Sequence, residues 1–366
     1  MGVDLMKRIL LSGYYGFKNT GDEAILAALI AGLKRSYEKV EIIVLSANPK
    51  YTKKIHQVKA IRRLDFKKII WELKTADLLI SGGGSLLQDV TSLKNIPYYL
   101  TIILLAKIMQ TPVFFCAQGV GPITKQLNQK LVAKILNQVN LISVRDETSK
   151  QLLEAWGVEQ EIEVTADLVF NLSPSPEHVC TKILQQEDIN RHQALIGVAL
   201  RPWKDNSYLE QMLVVLDNLV TKLGVQILLI PFHYPVDRQI SQFVAHKMEK
   251  QVKLIKGDYS PQEILGLVAE CDLMLGVRLH SLIFAVRAGV AVAGISYDPK
   301  IDSFLAQLGL EAVADVDDLM PQQVEEEVIK LWPAREEQVA KWINQVKELE
   351  KLAALNFSLV QKKLGV

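Results

Sequence analysis

The chain is poor in the features that announce a scaffold or a membrane protein. Only three cysteines, Cys116, Cys180 and Cys271, stand in 366 residues, and none belongs to a Cys-x-x-Cys pair. A disulfide framework is therefore excluded, no metal-ligand spacing is offered, and a reducing compartment is expected. No apolar run is long enough to span a bilayer. The most apolar stretch outside the expected strands, Ile96 to Met109, is interrupted by Lys107 and followed by Pro112. The opening residues lack the apolar stretch and small-residue cleavage site of a signal peptide, so a cytoplasmic location is expected. Charge of one sign is lacking as well: Lys+Arg number 42 against Asp+Glu 41. Without a basic block interleaved with aromatics, nucleic acid is not an expected partner.

What is present is an alternation of short apolar strands and amphipathic helices. Hydrophobic residues make up 49% and charged residues 23%, the balance of a globular protein. The expected strands of a first half are Arg8–Ser12, Val40–Leu45, Ala76–Ile80, Pro112–Ala117, Leu141–Val144 and Glu163–Thr165. They are nearly all apolar, as parallel strands buried on both faces should be. Residues 173–193, polar and bearing Pro174 and Pro176, read as a linker region. A second series follows at Leu195–Leu200, Gln226–Ile230, Val252–Ile255, Leu273–Leu275 and Ala291–Gly294. The expectation is an α/β protein of two Rossmann-like, doubly wound parallel-sheet domains, 1–172 and 194–332, facing a cleft. The remaining 333–366 reads as an amphipathic helix packing back on the N-terminal domain. A peripheral membrane contact is the weaker reading of that tail and of 96–109, because acids and bases are mixed along the tail.

Open α/β sheets bind ligands at the carboxyl ends of their strands, and the polar loops fall there. Gly13, Gly16 and Gly21 permit close backbone approach, and Asn19, Thr20, Asp22 and Glu23 stand at a helix start, with Thr20 or Asp22 as the expected N-cap. The spacing is neither GxGxxG nor a Walker loop. Gly82, Gly83 and Gly84 follow another strand and can offer backbone N–H groups, with Asp89 beyond them as an acid or hydroxyl ligand. Gln118, Gly119 and Gly121, the Arg145-Asp146 pair, Arg201, and His233 with Asp237 occupy further strand ends. Within 271–301, a buried strand turns through Gly276 and presents Arg278 and His280 at a helix N-terminus, a setting that attracts anions. Each feature also has a plain structural reading: a capped turn, a tight loop, or an arginine paired with a carboxylate. Together, Arg145, Arg201, Arg278, His233 and His280 predict a cationic site suited to phosphate or carboxylate.

The runs GFKNTGDEA, SGGGSLLQD, QGVGP, SVRD, TADLVF, GVRLHSLIFA and SYDPKI, in that order over roughly residues 8–310, resemble the polysaccharide pyruvyl transferases. Within that family the motifs resemble those of the branch that pyruvylates secondary cell-wall polysaccharide for S-layer anchoring. The resemblance implies a GT-B-like fold and transfer of the enolpyruvyl-derived unit of phosphoenolpyruvate to a sugar. The implied product is a cyclic ketal, typically across the 4- and 6-hydroxyls, and phosphate leaves. The implied acceptor is N-acetylmannosamine on a lipid-diphosphate precursor, which would bring the enzyme to the inner face of the plasma membrane. Arg278 and His280 match the Arg-x-His pair implicated in donor binding, and Arg201 and Arg145 match further arginines. His233 joins this donor set. Gly13, Asn19, Gly82, Gly83, Gly84 and Gln118 form the expected acceptor side. His280 is expected as acid or phosphate ligand and Asp22 or Asp89 as base, with no cofactor. Two alternatives stay open: a GT-B glycosyltransferase using a nucleotide sugar, and a non-catalytic sugar- or anion-binding protein.

Overall fold

A computed structural model describes residues 6–89, 95–190, 192–250 and 252–365. The chain divides into two compact units, one formed by Met1–Leu172 with Glu348–Val366 and the other by Ser173–Lys347.

The first unit runs β1 (Lys7–Ser12), α1 (Thr20–Ser36), β2 (Val40–Ser46), α2 (Pro49–His56), β3 (Lys59–Arg62), α3 (Phe66–Leu73), β4 (Leu78–Gly82), α4 (Asn95–Ile108), β5 (Val113–Gln118), α5 (Gln126–Leu136), β6 (Leu141–Val144), α6 (Glu147–Ala155) and β7 (Ile162–Val164). All neighbouring strands are parallel, in the order β3-β2-β1-β4-β5-β6-β7. The order reverses direction between β1 and β4, which places the switch point of the sheet there. Strand β4 is buried along its whole length, as its unbroken apolar run requires. Helix α4, the apolar 96–109 stretch, buries Ile96, Tyr99, Leu100, Ile102, Ile103 and Ala106 in the core of this unit. Among the described residues no helix is long and apolar enough to cross a membrane.

The second unit runs α7 (Glu177–Gln186), β8 (Leu195–Ala199), α8 (Tyr208–Leu223), β9 (Gln226–Leu229), α9 (Val236–Lys247), β10 (Val252–Leu254), α10 (Pro261–Ala269), β11 (Leu273–Gly276), α11 (Leu279–Ala288), β12 (Ala291–Ser296), α12 (Pro299–Gln307), β13 (Ala314–Asp315) and the start of α13 (Pro321–Leu364), whose residues from Glu348 on belong to the first unit. Its parallel sheet has the order β10-β9-β8-β11-β12-β13, with the switch between β8 and β11. Local signals set several boundaries. Ser260 and Glu263 close a capping box ahead of α10, with Pro261 at its first turn. Gly224 and Gly289 end α8 and α11 in the left-handed region at φ 66° and 74°.

Four expectations change. Two helices, α2 and α3, with the edge strand β3 between them, lie where a single helix was expected between the second and third strands. Four residues with only Ala60 and Ile61 buried are too short a run to announce a strand. Residues 173–193 are not a free linker. Cys180, Ile183 and Leu184 form a buried stripe on α7, and the Cys180 thiol sits against Gly266 of α10 with no room for a Cβ between them. The last helix begins at Pro321 rather than 333, because Pro333, on the exposed side, is accommodated within it. The N-cap of α1 is Asn19, whose side chain accepts from the Gly21 N–H at 3.1 Å, rather than Thr20 or Asp22.

The end of α13 packs into the first unit through specific contacts. Asn356, buried, accepts hydrogen bonds from Ser143 at 2.6 Å and Thr165 at 3.4 Å. The Phe357 ring occupies the place a Cβ on Gly32 would need, 2.0 Å away, so α1 and α13 meet only because residue 32 is glycine.

Candidate active site

In the first unit the loops after β1 and β4 flank the switch point. Gly83 and Gly84 adopt φ +78° and +73°, a conformation that disfavours other residues. A Cβ on Gly83 would lie 1.9 Å from Ile25 Cγ2, and one on Gly84 would lie 2.8 Å from Asp22 Oδ1. The triple glycine thus lets the backbone lie against α1 and against the Asp22 carboxylate. Gly13 is packed under the Tyr15 ring, and the Tyr15 hydroxyl donates to the Gly82 carbonyl at 2.6 Å, tying the two loops together. Burial, reinforced by Cys116 and Asp22, pushes the Tyr15 hydroxyl well above the usual tyrosine range. It is a fixed donor rather than a base. Glu23 accepts from the Gly16 N–H at 2.7 Å and pairs with His56 Nε2 at 2.8 Å, a buried tie that shapes the first loop.

Two expected site residues of this unit have structural work. Asp89 accepts from the Thr124 N–H and hydroxyl at 2.9 and 3.1 Å, from Asn128 at 3.1 Å and from the Lys125 N–H at 3.3 Å. Burial raises its carboxyl, and these hydrogen bonds more than reverse that, leaving it below the ordinary aspartate value. A carboxylate so engaged clamps the turn before α5 and is a poor proton acceptor. Gln118, fully buried, donates to the Ser81 carbonyl at 2.8 Å and braces β4 against β5.

Arg145, also of the expected donor set, is held by acids. It belongs to the first unit, whereas Arg201, His233, Arg278 and His280 belong to the second. Its guanidinium donates to Asp167 at 3.0 Å and to Asp146 at 3.4 Å, with its side chain 7% exposed. A Cβ on Gly119 would come within 2.6 Å of its Nε, so that glycine makes room for the side chain. Two acids already neutralise this cation.

The second unit places Arg201 and Arg278 at its own switch point, after β8 and β11. Arg278 is the N-cap residue of α11. Its Nε donates to Asp237 Oδ2 at 2.8 Å and its Nη2 to Asp237 Oδ1, a two-point clamp on a carboxylate with no exposure. Burial draws the Arg278 pKa down, and Asp237 more than reverses this, leaving it above the ordinary arginine value. The same Oδ2 accepts the His233 backbone N–H at 2.8 Å, so Asp237 ties the loop after β9 to Arg278. His280 is half-buried in the first turn of α11, two residues beyond Arg278.

Arg201 has a different setting. It is half-buried after β8, and its guanidinium carbon lies 3.8 Å from the Tyr297 ring centroid and 5.4 Å from that of Trp203. The Tyr208 hydroxyl holds its backbone, accepting from the Arg201 N–H at 3.2 Å and donating to its carbonyl. Burial pushes the Tyr208 hydroxyl up to about 12. Burial also lowers the Arg201 pKa, and the like charge of Arg278 acts in the same direction, against Tyr297, the more distant Asp237 and Tyr208. Among the described residues no carboxylate lies within ion-pair distance of Arg201. Two guanidiniums near one carboxylate leave surplus positive charge beside a helix N-terminus, a setting whose electrostatics favour an anion. Asp237 as the counter-ion of Arg278, Asp167 as that of Arg145, and Tyr297 beneath Arg201 were not assigned from sequence. The last two nevertheless lie inside the TADLVF and SYDPKI runs.

Two parallel Rossmann-like domains and a terminal helix are a GT-B-like architecture. The structure resembles that of Staphylococcus aureus MnaA with UDP at a TM-score of 0.68 and 13% identity, over 98% of this chain and 97% of the other. It resembles the UDP-GlcNAc 2-epimerase of Neisseria meningitidis bound to UDP-GlcNAc at 0.63 and 14%, over 98% and 100%. These likenesses define the architecture. The sequence defines the family: residues 19–299 match the model of the polysaccharide pyruvyl transferases, and the chain belongs to that family. The amylovoran biosynthesis protein AmsJ of Erwinia amylovora is 24% identical over 86% of this chain and 89% of its own.

Proposed function

We propose that the protein joins the enolpyruvyl-derived unit of phosphoenolpyruvate to a sugar diol, forming a pyruvate ketal and releasing phosphate. The observation that carries this reading is Arg201, a half-buried guanidinium with no carboxylate in ion-pair reach among the described residues, beside the Arg278–Asp237 clamp. Phosphoenolpyruvate brings two anionic groups, a carboxylate and a phosphate, and planar guanidiniums grip both. In the reaction a proton adds to C3, which becomes methyl, and positive charge develops at C2. One sugar hydroxyl bonds to C2 and gives up its proton to the base, the C2–O bond to phosphate breaks, and the second hydroxyl closes the ring as its proton passes to the departing phosphate, so that of the two hydroxyl protons one balances the proton gained by C3 and the other leaves on phosphate. His280, at the start of α11, supplies the proton or holds the departing phosphate. Asp22 is the better base of the two aspartates considered, since Asp89 is held by four donors.

The finer expectations stand within the same proposal: N-acetylmannosamine as acceptor, a 4,6-ketal, a lipid-diphosphate carrier, the S-layer-anchoring branch, and work at the cytoplasmic face of the membrane. A second reading, sugar transfer from a nucleotide sugar, is supported by the likeness to structures described with UDP and UDP-GlcNAc. The same surplus of positive charge suits a diphosphate. Purified protein incubated with phosphoenolpyruvate and a panel of N-acetylmannosamine acceptors separates the two. Acceptor-dependent phosphate release, with a product that gains a pyruvate ketal by mass, is expected. Sugar transfer from a UDP-sugar with phosphoenolpyruvate left intact would overturn it.

A further inference from the structure

The first unit holds a second half-buried cation that lacks a carboxylate. Arg63 follows β3, its backbone N–H donates to the Ser46 carbonyl at 3.0 Å, and its carbonyl accepts from the Tyr98 hydroxyl at 2.9 Å. Its guanidinium carbon stands 4.0 Å from the Tyr98 ring centroid, 5.1 Å from Phe17 and 5.6 Å from Tyr99. Tyr14 stacks on Phe17 with centroids 4.0 Å apart. Phe17 and Tyr14 come from the loop after β1, and Tyr98 and Tyr99 from the start of α4. Among the described residues no acid lies in ion-pair reach of Arg63.

Two polar atoms here have no hydrogen-bond partner among the described residues, the shielded Arg63 Nε and the hydroxyl of Tyr99, a residue only 2% exposed. Buried donors are ordinarily satisfied, and a partly desolvated cation is costly without a counter-charge. The rings offset part of that cost, and stacked aromatic faces are also the surface on which the C–H face of a sugar ring rests. Burial raises the Tyr99 hydroxyl, Arg63 opposes this and the Asp22 charge adds to it, so the candidate base lies within electrostatic range of the cluster.

We propose that Arg63 with the half-buried Phe17 and Tyr98, backed by the buried Tyr99, forms an acceptor subsite for an anionic sugar, the ring lying against the half-buried aromatics and its phosphate or carboxylate on the guanidinium. The inference rests on the first unit being the acceptor side of the proposed reaction. It also predicts selectivity that the donor chemistry does not require, since a ketal can form on a neutral sugar.

Calorimetric titration of the full chain tests it with N-acetylglucosamine 1-phosphate, glucuronic acid and neutral N-acetylglucosamine. At least one charged sugar is expected to bind about tenfold or more tightly than the neutral one, and whichever does so identifies phosphate or carboxylate as the recognised group. Arg63→Gln is expected to abolish that difference, and Phe17→Leu to weaken all the sugars bound, while neither changes phosphoenolpyruvate affinity by more than about twofold. Equal affinity of charged and neutral sugars for the wild type would overturn the subsite, a result that needs no folded variant. A difference retained in a folded Arg63→Gln would do the same. The ketal-forming reading fails separately: charge selectivity at Arg63 with phosphoenolpyruvate never consumed would sink that reading and leave the subsite standing.

Discussion

At the ends of β1 and β4 the first unit sets an acid, Asp22, against the backbone of a triple glycine, and its nearby arginine, Arg145, is cancelled by Asp167 and Asp146. At the ends of β8 and β11 the second unit sets two arginines around one carboxylate and opens a helix N-terminus beside them. The strand order about both switch points is the same. In the proposed reaction the first switch point would face the sugar hydroxyls and the second the phosphoenolpyruvate anion. Sheet order thus fixes where a ligand can bind, while the residues on a few loops decide its charge.

The strongest way to break this contrast is at His280. His280→Ala is expected to lower phosphate release by about 100-fold or more while the thermal transition stays at the wild-type temperature. Wild-type-like turnover would remove the histidine from the chemistry. The two arginines should then separate by kind. Arg278→Ala leaves Asp237 as a buried, unpaired carboxylate and is expected to cost about 3–5 kcal/mol in urea unfolding. Arg201→Ala strands no buried charge and loses only ring contacts and a local hydrogen bond to the Pro202 carbonyl, so the stability loss should stay under about 1 kcal/mol, and the KM for phosphoenolpyruvate should rise about tenfold or more. Equal destabilisation by both would show that Arg201 has a structural partner after all.

In the first unit, Gly83→Ala must accept both a positive φ and a Cβ close to Ile25, and a loss of about 1–3 kcal/mol is expected in the same unfolding measurement. The smallest effect is at Asp89. Its folded pKa lies below the unfolded value of about 3.9, so its stabilising contribution is present above that pH and is lost as pH falls through the lower folded value. Asp89→Asn should flatten the acid limb of the stability curve without abolishing activity. Loss of turnover with stability unchanged would restore Asp89 as a candidate base.

Much of this arrangement was legible in one dimension. The strand runs that carry the loops are continuous and apolar, so Gly82, Arg201 and Arg278 could be put at strand ends before any contact was known. The edge strand β3 was not legible, because four residues with two buried positions carry no clear period. Nor was α7, where two prolines masked an apolar stripe of only three residues. Asp89 looked like a site residue because it closes a motif, and its four donors lie more than thirty residues further along the chain.

The sequence by itself determined two α/β halves, their ligand-bearing loops and the presence of arginines and a histidine at strand ends, since hydrophobic period and turn chemistry are local. Only the tertiary structure decided which cations are spent and which stay available. Arg278 meets Asp237 across 41 positions and Arg145 meets Asp167 across 22, while Arg201 and Arg63 rest on aromatic rings with no acid in reach among the described residues. Pairing between charges depends on the distance between side chains in the folded chain, and no local pattern encodes that distance.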